Sequence, residues 1–194
     1  LDEDGSATVS LIVIFDLTNE ERLDAFQSLE SDESARTKFS GRFVDRMRPV
    51  AETASAETGR EMTVSNPSID LSRTEDGETG VATLTVSWSN LAARKDGRLI
   101  VTKPFDSGFT PAYAFVVMAP EGYRIAEASP APDAREATQV TWSAGSSFDE
   151  FRAVVEEDSS QQDESRTFGQ PGFDLLSGVL ALLVVTLALK RRWY

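Results

Sequence analysis

Cysteine and histidine are both absent from the 194 residues. Disulfides, thiolate chemistry and zinc sites of the usual ligand type are therefore excluded. So are Ser-His-Asp and Cys-His nucleophile arrangements, which lack their customary general base. Lysine is scarce: only Lys38, Lys95, Lys103 and Lys190 occur. No Asn-x-Ser/Thr sequon exists at Asn19, Asn66 or Asn90, so N-glycosylation is not expected. A domain without disulfides must rely on its own apolar core. The chain begins at Leu1 rather than Met, which leads to the expectation of a removed leader.

What the chain has in excess is negative charge. Of 32 acidic and 19 basic residues, setting aside Asp174, Lys190, Arg191 and Arg192 leaves 31 against 16 over residues 1–172. Such a surface repels phosphate backbones and argues against a nucleic-acid partner. Many carboxylates with few lysines is the pattern of proteins soluble in concentrated salt, where screening shortens repulsion to about 3 Å near 1 M.

The longest apolar run lies at the C-terminus. Leu175–Leu189 is uncharged and is followed by Lys190, Arg191 and Arg192, then Trp193 and Tyr194. As a helix these fifteen residues span about 22 Å, short of a hydrocarbon core of about 30 Å. Adding Phe173 and snorkelling basic side chains extends the reach enough for a thin membrane. The run has no polar stripe, unlike a helix buried in a globule. The basic cluster would sit in the cytoplasm and the preceding residues outside. Three segments follow: an extracellular acidic domain over 1–155, a polar linker over 156–172, and a transmembrane helix with a basic end over 173–194. The linker, with Glu156, Glu157, Asp158, Asp163 and Glu164, reads as a solvated stalk.

Pro171, Gly172 and Phe173, set directly before a short apolar span and a basic end, resemble the PGF-type C-terminal sorting signal of haloarchaeal surface proteins. The resemblance covers about the last 25 residues. It implies recognition of the three residues by archaeosortase, a membrane-embedded cysteine-dependent transpeptidase, which would remove the helix and attach the new end to a lipid. Asp174 beside the motif and the terminal aromatic pair depart from that pattern, and a retained single-span anchor stands as the alternative. Thr58–Met62, Val86–Trp88, Pro104-Phe105 with Gly108-Phe109, and Pro120–Tyr123 also resemble an uncharacterised haloarchaeal exported domain family over about residues 7–155. That resemblance implies a fold and no activity.

Within the outer domain, Ala7–Asp16 is apolar and β-branched and predicts a buried strand. Thr18 reads as the N-cap of a helix to about Leu29, with Leu23 and Phe26 inward and acidic residues in its first turn. After Ser31–Ser34, Phe39, Phe43, Met47 and Val50 predict a second helix ending at Thr58-Gly59, kinked or broken near Arg48 by Pro49. The remainder reads as strands. Glu61–Leu71 is extended, a hairpin turn spans Thr74–Glu78, and Gly80–Trp88 alternates with Ala82, Leu84, Val86 and Trp88 on one face. Further strands are expected at Arg98–Thr102, Ala112–Met118, Tyr123–Ala128, Gln139–Ser143 and Phe151–Val155, with turns at Lys95–Gly97 and Pro120–Gly122. The fold class expected is α+β: one antiparallel sheet of about seven or eight strands, a helical pair on one face, and the C-terminal transmembrane helix.

Candidate sites are few. Leu1–Gly5 and Thr74–Glu78 gather carboxylates around glycine without the spacing of a calcium loop. Asp149 and Glu150, with Asp133 and Glu136, are the nearest approach to a carboxylate pair for glycoside hydrolysis. Phe105 and Phe109 flank a turn that could expose an apolar contact to a partner. No catalytic residue and no cofactor are assigned. The function expected is a non-enzymatic cell-surface module held at the membrane, with membrane lipid, an archaeosortase-type processing enzyme and an envelope protein as partners. An accessory or sensory subunit of a membrane complex, permanently single-span, is the alternative.

Overall fold

The computed structural model describes residues 1–106, 108–159 and 183–186. The elements run in the order β1 (Ala7–Asp16), α1 (Glu20–Ser31), α2 (Glu33–Thr58), β2 (Val64–Arg73), β3 (Thr79–Trp88), β4 (Ala93–Lys95), β5 (Arg98–Val101), β6 (Phe115–Met118), β7 (Tyr123–Ser129), β8 (Ala134–Arg135), β9 (Gln139–Trp142), β10 (Arg152–Glu157) and β11 (Leu183–Thr186). The class is α+β, as the pattern of elements implied. The single sheet is corrected to two: one of seven strands in the order β2-β3-β1-β11-β6-β9-β8, and one of four in the order β4-β5-β10-β7. The physical reason is coverage. α1 packs on β1, and α2 on β2 and β3, which leaves the inner face of β6 and β9 without a helix. The four-stranded sheet covers that half, with β7 against β9.

β1 and β3 are antiparallel over ten register pairs, from Ala7↔Trp88 to Asp16↔Thr79. Gly80, Ala82, Leu84, Val86 and Trp88 are buried, as the alternation of β3 foretold, while Val81, Thr83, Thr85 and Ser87 are half-buried. Across the ladder they meet Phe15, Val13, Leu11, Val9 and Ala7 on the core side. The opposite face is rich in hydroxyls: Ser10, Thr85 and Ser68 share one cross-strand row. Gly80 is glycine because the Phe26 ring of α1 lies on it. A Cβ there would sit 2.8 Å from two ring carbons.

The helix ends follow local hydrogen bonding. Asn19, not Thr18, caps α1: its side-chain oxygen accepts from the Arg22 N–H at 3.2 Å. Thr18 instead donates its hydroxyl to Asp16. Asp32 is extended and breaks the pair, and its carboxylate caps α2 by accepting from the Ser34 N–H at 2.8 Å. Of the kink or break expected near Arg48, the break does not occur: α2 continues through Pro49. Pro49 and the Asp45 it would otherwise bond are both exposed, so water can reach the freed carbonyl. Phe43 is buried and Phe39 and Met47 are partly so, whereas Val50 is 38% exposed and Val44, Ala51 and Ala54 take the inner face instead. Gly59, at φ 69°, closes the helix in the left-handed region.

The other half of the core is aromatic. Phe105, Phe109, Phe115, Trp142, Phe148 and Phe151 pack with neighbouring ring centroids 4.8–5.9 Å apart. Trp142 donates its indole N–H to the Pro130 carbonyl at 2.9 Å.

Leu183–Thr186, inside the run expected to be helical, is a strand. It lies parallel to β1, Val9↔Leu183 through Ile12↔Thr186, and antiparallel to β6 at Val185↔Phe115. Two valines and a threonine in four residues favour extended backbone. No helix among the described residues is long and apolar enough to cross a membrane. The other tail positions, among them Pro171, Gly172, Phe173, Lys190, Arg191 and Arg192, lie outside the described residues.

Candidate functional site

Charge and concavity coincide at the β4–β5 hairpin. Asp96 and Gly97 both have positive φ, 53° and 74°, the conformation of a two-residue turn whose twist suits paired strands. This turn places Arg94, Lys95 and Arg98 around a cavity of about 270 Å³, shared with Glu3, Asp96, Tyr123 and Glu157. Beside it, Glu156 on β10 accepts from Arg98 at 3.0 Å and also pairs with Arg124. Burial, with Glu157 and Glu3 alongside, pushes the Tyr123 hydroxyl above its ordinary pKa. Three cations thus meet three carboxylates in a chain whose net charge is −13. The cleft is locally balanced, and none of the residues named around it is a nucleophile held by a general base. Sequence reasoning passed over it, although three cations within five residues of a lysine-poor chain were a visible signal.

A second, shallower cavity of about 320 Å³ lies between α2 and the loop after β5, lined by Pro49, Val50, Thr53, Ala54, Glu57 and Pro104. Lys103 bridges its rim, 3.0 Å from Glu57 and 2.9 Å from Asp106. Those contacts hold the Lys103 ammonium above its ordinary pKa, through Asp106 first and then Glu57.

The expected partner contact at Phe105 and Phe109 is corrected. Phe105 is 7% exposed and Phe109 packs partly buried against the core. Phe109 also bridges to Phe148, and both rings close the aromatic cluster from within. The physical reason is that Phe115, Phe148 and Phe151 offer the rings more apolar contact than an exposed turn would.

Several of the candidate carboxylates, Asp2, Asp4, Asp76 and Asp133, are held by local hydrogen bonds. Asp133 accepts from the Ser143 N–H at 2.7 Å, which holds its carboxyl below the usual range. Asp76 accepts from the Thr74 hydroxyl and the Glu78 N–H at the tip of the β2–β3 hairpin, and the Thr74 contact lowers its pKa most. Asp4 and Asp2 both accept from Ser6. Neither cavity is lined by Asp133, Glu136, Asp149 or Glu150. Among the described residues, no group of three or more acidic side chains could hold a metal ion.

One further place has an unusual environment. Ser10 of β1 is fully buried beside β11, and its hydroxyl has no hydrogen-bond partner. Nothing in the residue pattern marks it, because its burial depends on what lies beside β1.

Among curated proteins, none matches this chain. A family model described as a domain of unknown function (DUF7345) matches residues 1–123. The match takes in both helices and β1 to β6 and ends at the first residue of β7. That is more than half of the 194 residues, and the chain belongs to the DUF7345 family.

Proposed function

We propose that the protein is a non-enzymatic surface module, exported and tethered to a membrane by its C-terminus, where its acidic domain makes a binding or structural contact within the envelope. The observation that carries this reading is the uncharged run Leu175–Leu189 followed by Lys190, Arg191 and Arg192. The acidic, lysine-poor composition of residues 1–172 supports a life in concentrated salt. The lack of cysteine and histidine supports a binding role over a catalytic one. Pro171, Gly172 and Phe173 are the proposed recognition motif for an archaeosortase-type enzyme, with lipid replacing the helix. A retained single span, in an accessory or sensory subunit, is the second reading, favoured by Asp174 next to the motif and by the terminal Trp193-Tyr194. Intact-mass measurement of membrane-extracted protein separates the two. A lipid-modified C-terminus near Phe173 is the result expected, whereas a chain ending at Tyr194 defeats processing. Protein found only in the aqueous fraction defeats the membrane reading itself.

A further inference from the structure

Among the described residues, nothing before position 183 joins β1 to β6. β1 pairs with β3 on one side and β6 with β9 on one side, and only Leu183–Thr186 stands between the two halves of the seven-stranded sheet. Without that strand, residues 1–159 would present two strand edges facing each other across a gap one strand wide, about 10 Å from the usual strand spacing. The gap lies in the middle of the sheet, not at its rim. With Leu183–Thr186 seated, Val9 and Leu11 on one side and Phe115 and Val117 on the other are all buried. Backbone N–H and C=O groups bordering such a gap need partners that water supplies poorly. The gap is thus a site for an extended peptide, held by main-chain bonds running parallel to β1 and antiparallel to β6.

Its occupant comes from the same apolar run that the proposed function places in a bilayer. The two seats exclude each other, since a residue rises about 1.5 Å in a helix and about 3.3 Å in a strand. The chain from 159 to 183 is long enough for either, reaching up to about 80 Å when extended. We infer that the β1–β6 gap is a strand-binding slot for this chain's own residues 183–186, and that entry of the tail into a membrane empties it. The tail is a plug away from lipid and an anchor within it, and anchoring bares the edges of β1 and β6. This inference rests on the membrane reading for its second seat only, and there on the span before processing or retained, since removal of the chain after Phe173 would take residues 183–186 with it.

The full chain, which has no native cysteine, tests it through the register pair Ile12↔Thr186. The double variant Ile12→Cys with Thr186→Cys is oxidised in lipid-free concentrated salt, and again after flotation on phosphatidylcholine–phosphatidylglycerol vesicles. An intramolecular disulfide forms in the first condition, and its yield falls about tenfold or more in the floated protein, as expected for a population shift between exclusive states. Protein cross-linked beforehand floats less than its reduced form. A disulfide that persists unchanged in floated protein overturns the exclusivity. The absence of any disulfide without lipid, or a disulfide-linked dimer in its place, overturns the slot's occupant. Reduced protein that never floats overturns the anchor and the second seat, while its intramolecular disulfide still supports the slot. Ser10→Cys with Val184→Cys, the register pair two residues away, repeats the test if the first variant fails to fold.

Discussion

Gly80→Ala probes the seam between α1 and the sheet. The added Cβ would lie 2.8 Å from Cδ2 and Cε2 of Phe26 and 3.0 Å from its Cγ, where carbon contacts ordinarily settle near 3.5–4.0 Å. The ring must withdraw by about 1 Å, and its surroundings resist. Phe26 is fully buried, Phe15 lies 5.3 Å away centroid to centroid, and the Arg73 guanidinium sits 5.3 Å above the ring. Arg73 is itself held by a fork to Glu30, with donor–acceptor distances of 2.9 and 2.5 Å, so the displacement reaches an ion pair between β2 and α1. Overpacking of this kind costs about 1–3 kcal/mol. Against it stands about 0.5–1 kcal/mol gained from the stiffer unfolded chain. The net loss lies between about 0 and 2.5 kcal/mol and centres near 1 kcal/mol, or about 2–4 °C in Tm for a chain of this size. Urea unfolding followed by circular dichroism, with Phe26→Leu and the double variant measured in the same salt, gives the coupling. The reduced ring should absorb the methyl, so the double variant should be more stable than the sum of the two single losses implies. Strict additivity of Gly80→Ala with Phe26→Leu would refute the close-contact reasoning.

Three further outcomes are expected. Trp142→Phe removes the indole N–H bonded to Pro130 and leaves a gap in the aromatic cluster; stability should fall by about 2 kcal/mol in denaturant unfolding. Ser10→Ala removes a buried hydroxyl without a partner and should be neutral or stabilising by up to about 1 kcal/mol, whereas a clear loss would show that the hydroxyl is bonded. Acid should destabilise the fold. Hydrogen bonds lower the folded pKa of Asp4 from Ser6, Asp16 from Thr18, Glu30 from Arg73, Asp76 from Thr74 and Asp133 from Ser143. Each lowered group contributes stability that is fully present above its unfolded pKa of about 4 and is lost as pH falls through the folded value. Histidine contributes no slope between pH 5 and 8, and the descent driven by these carboxylates should begin below about pH 4; thermal melts across that range check it.

Features set by neighbours along the chain were legible in its residues. The alternation of Gly80–Trp88 gave its buried face correctly, the turn at Thr74–Glu78 joins the strands foreseen on either side, and that at Lys95–Gly97 leads into the strand foreseen at Arg98 from one, β4, that was not foreseen. The second helix ends at Gly59 as its composition implied. These depend on period, φ preference and capping, all local quantities. Even locally, competition misled: Thr18 and Asn19 are both fit to cap, and the Asp16 carboxylate, by engaging Thr18, left the role to Asn19.

The sequence by itself determined the excluded chemistry, the acidic surface, the extended nature of β1 and β3 and the existence of one long apolar run. Only the tertiary structure decided that the strands divide between two sheets, that Phe105 and Phe109 turn inward, that Arg94, Lys95 and Arg98 share a cleft with Glu157, and that Leu183–Thr186 stands between β1 and β6. The reason is that a strand's period says which side is apolar but not which edge it will bond. That choice is made by backbone groups far apart in the chain, each seeking a partner away from water.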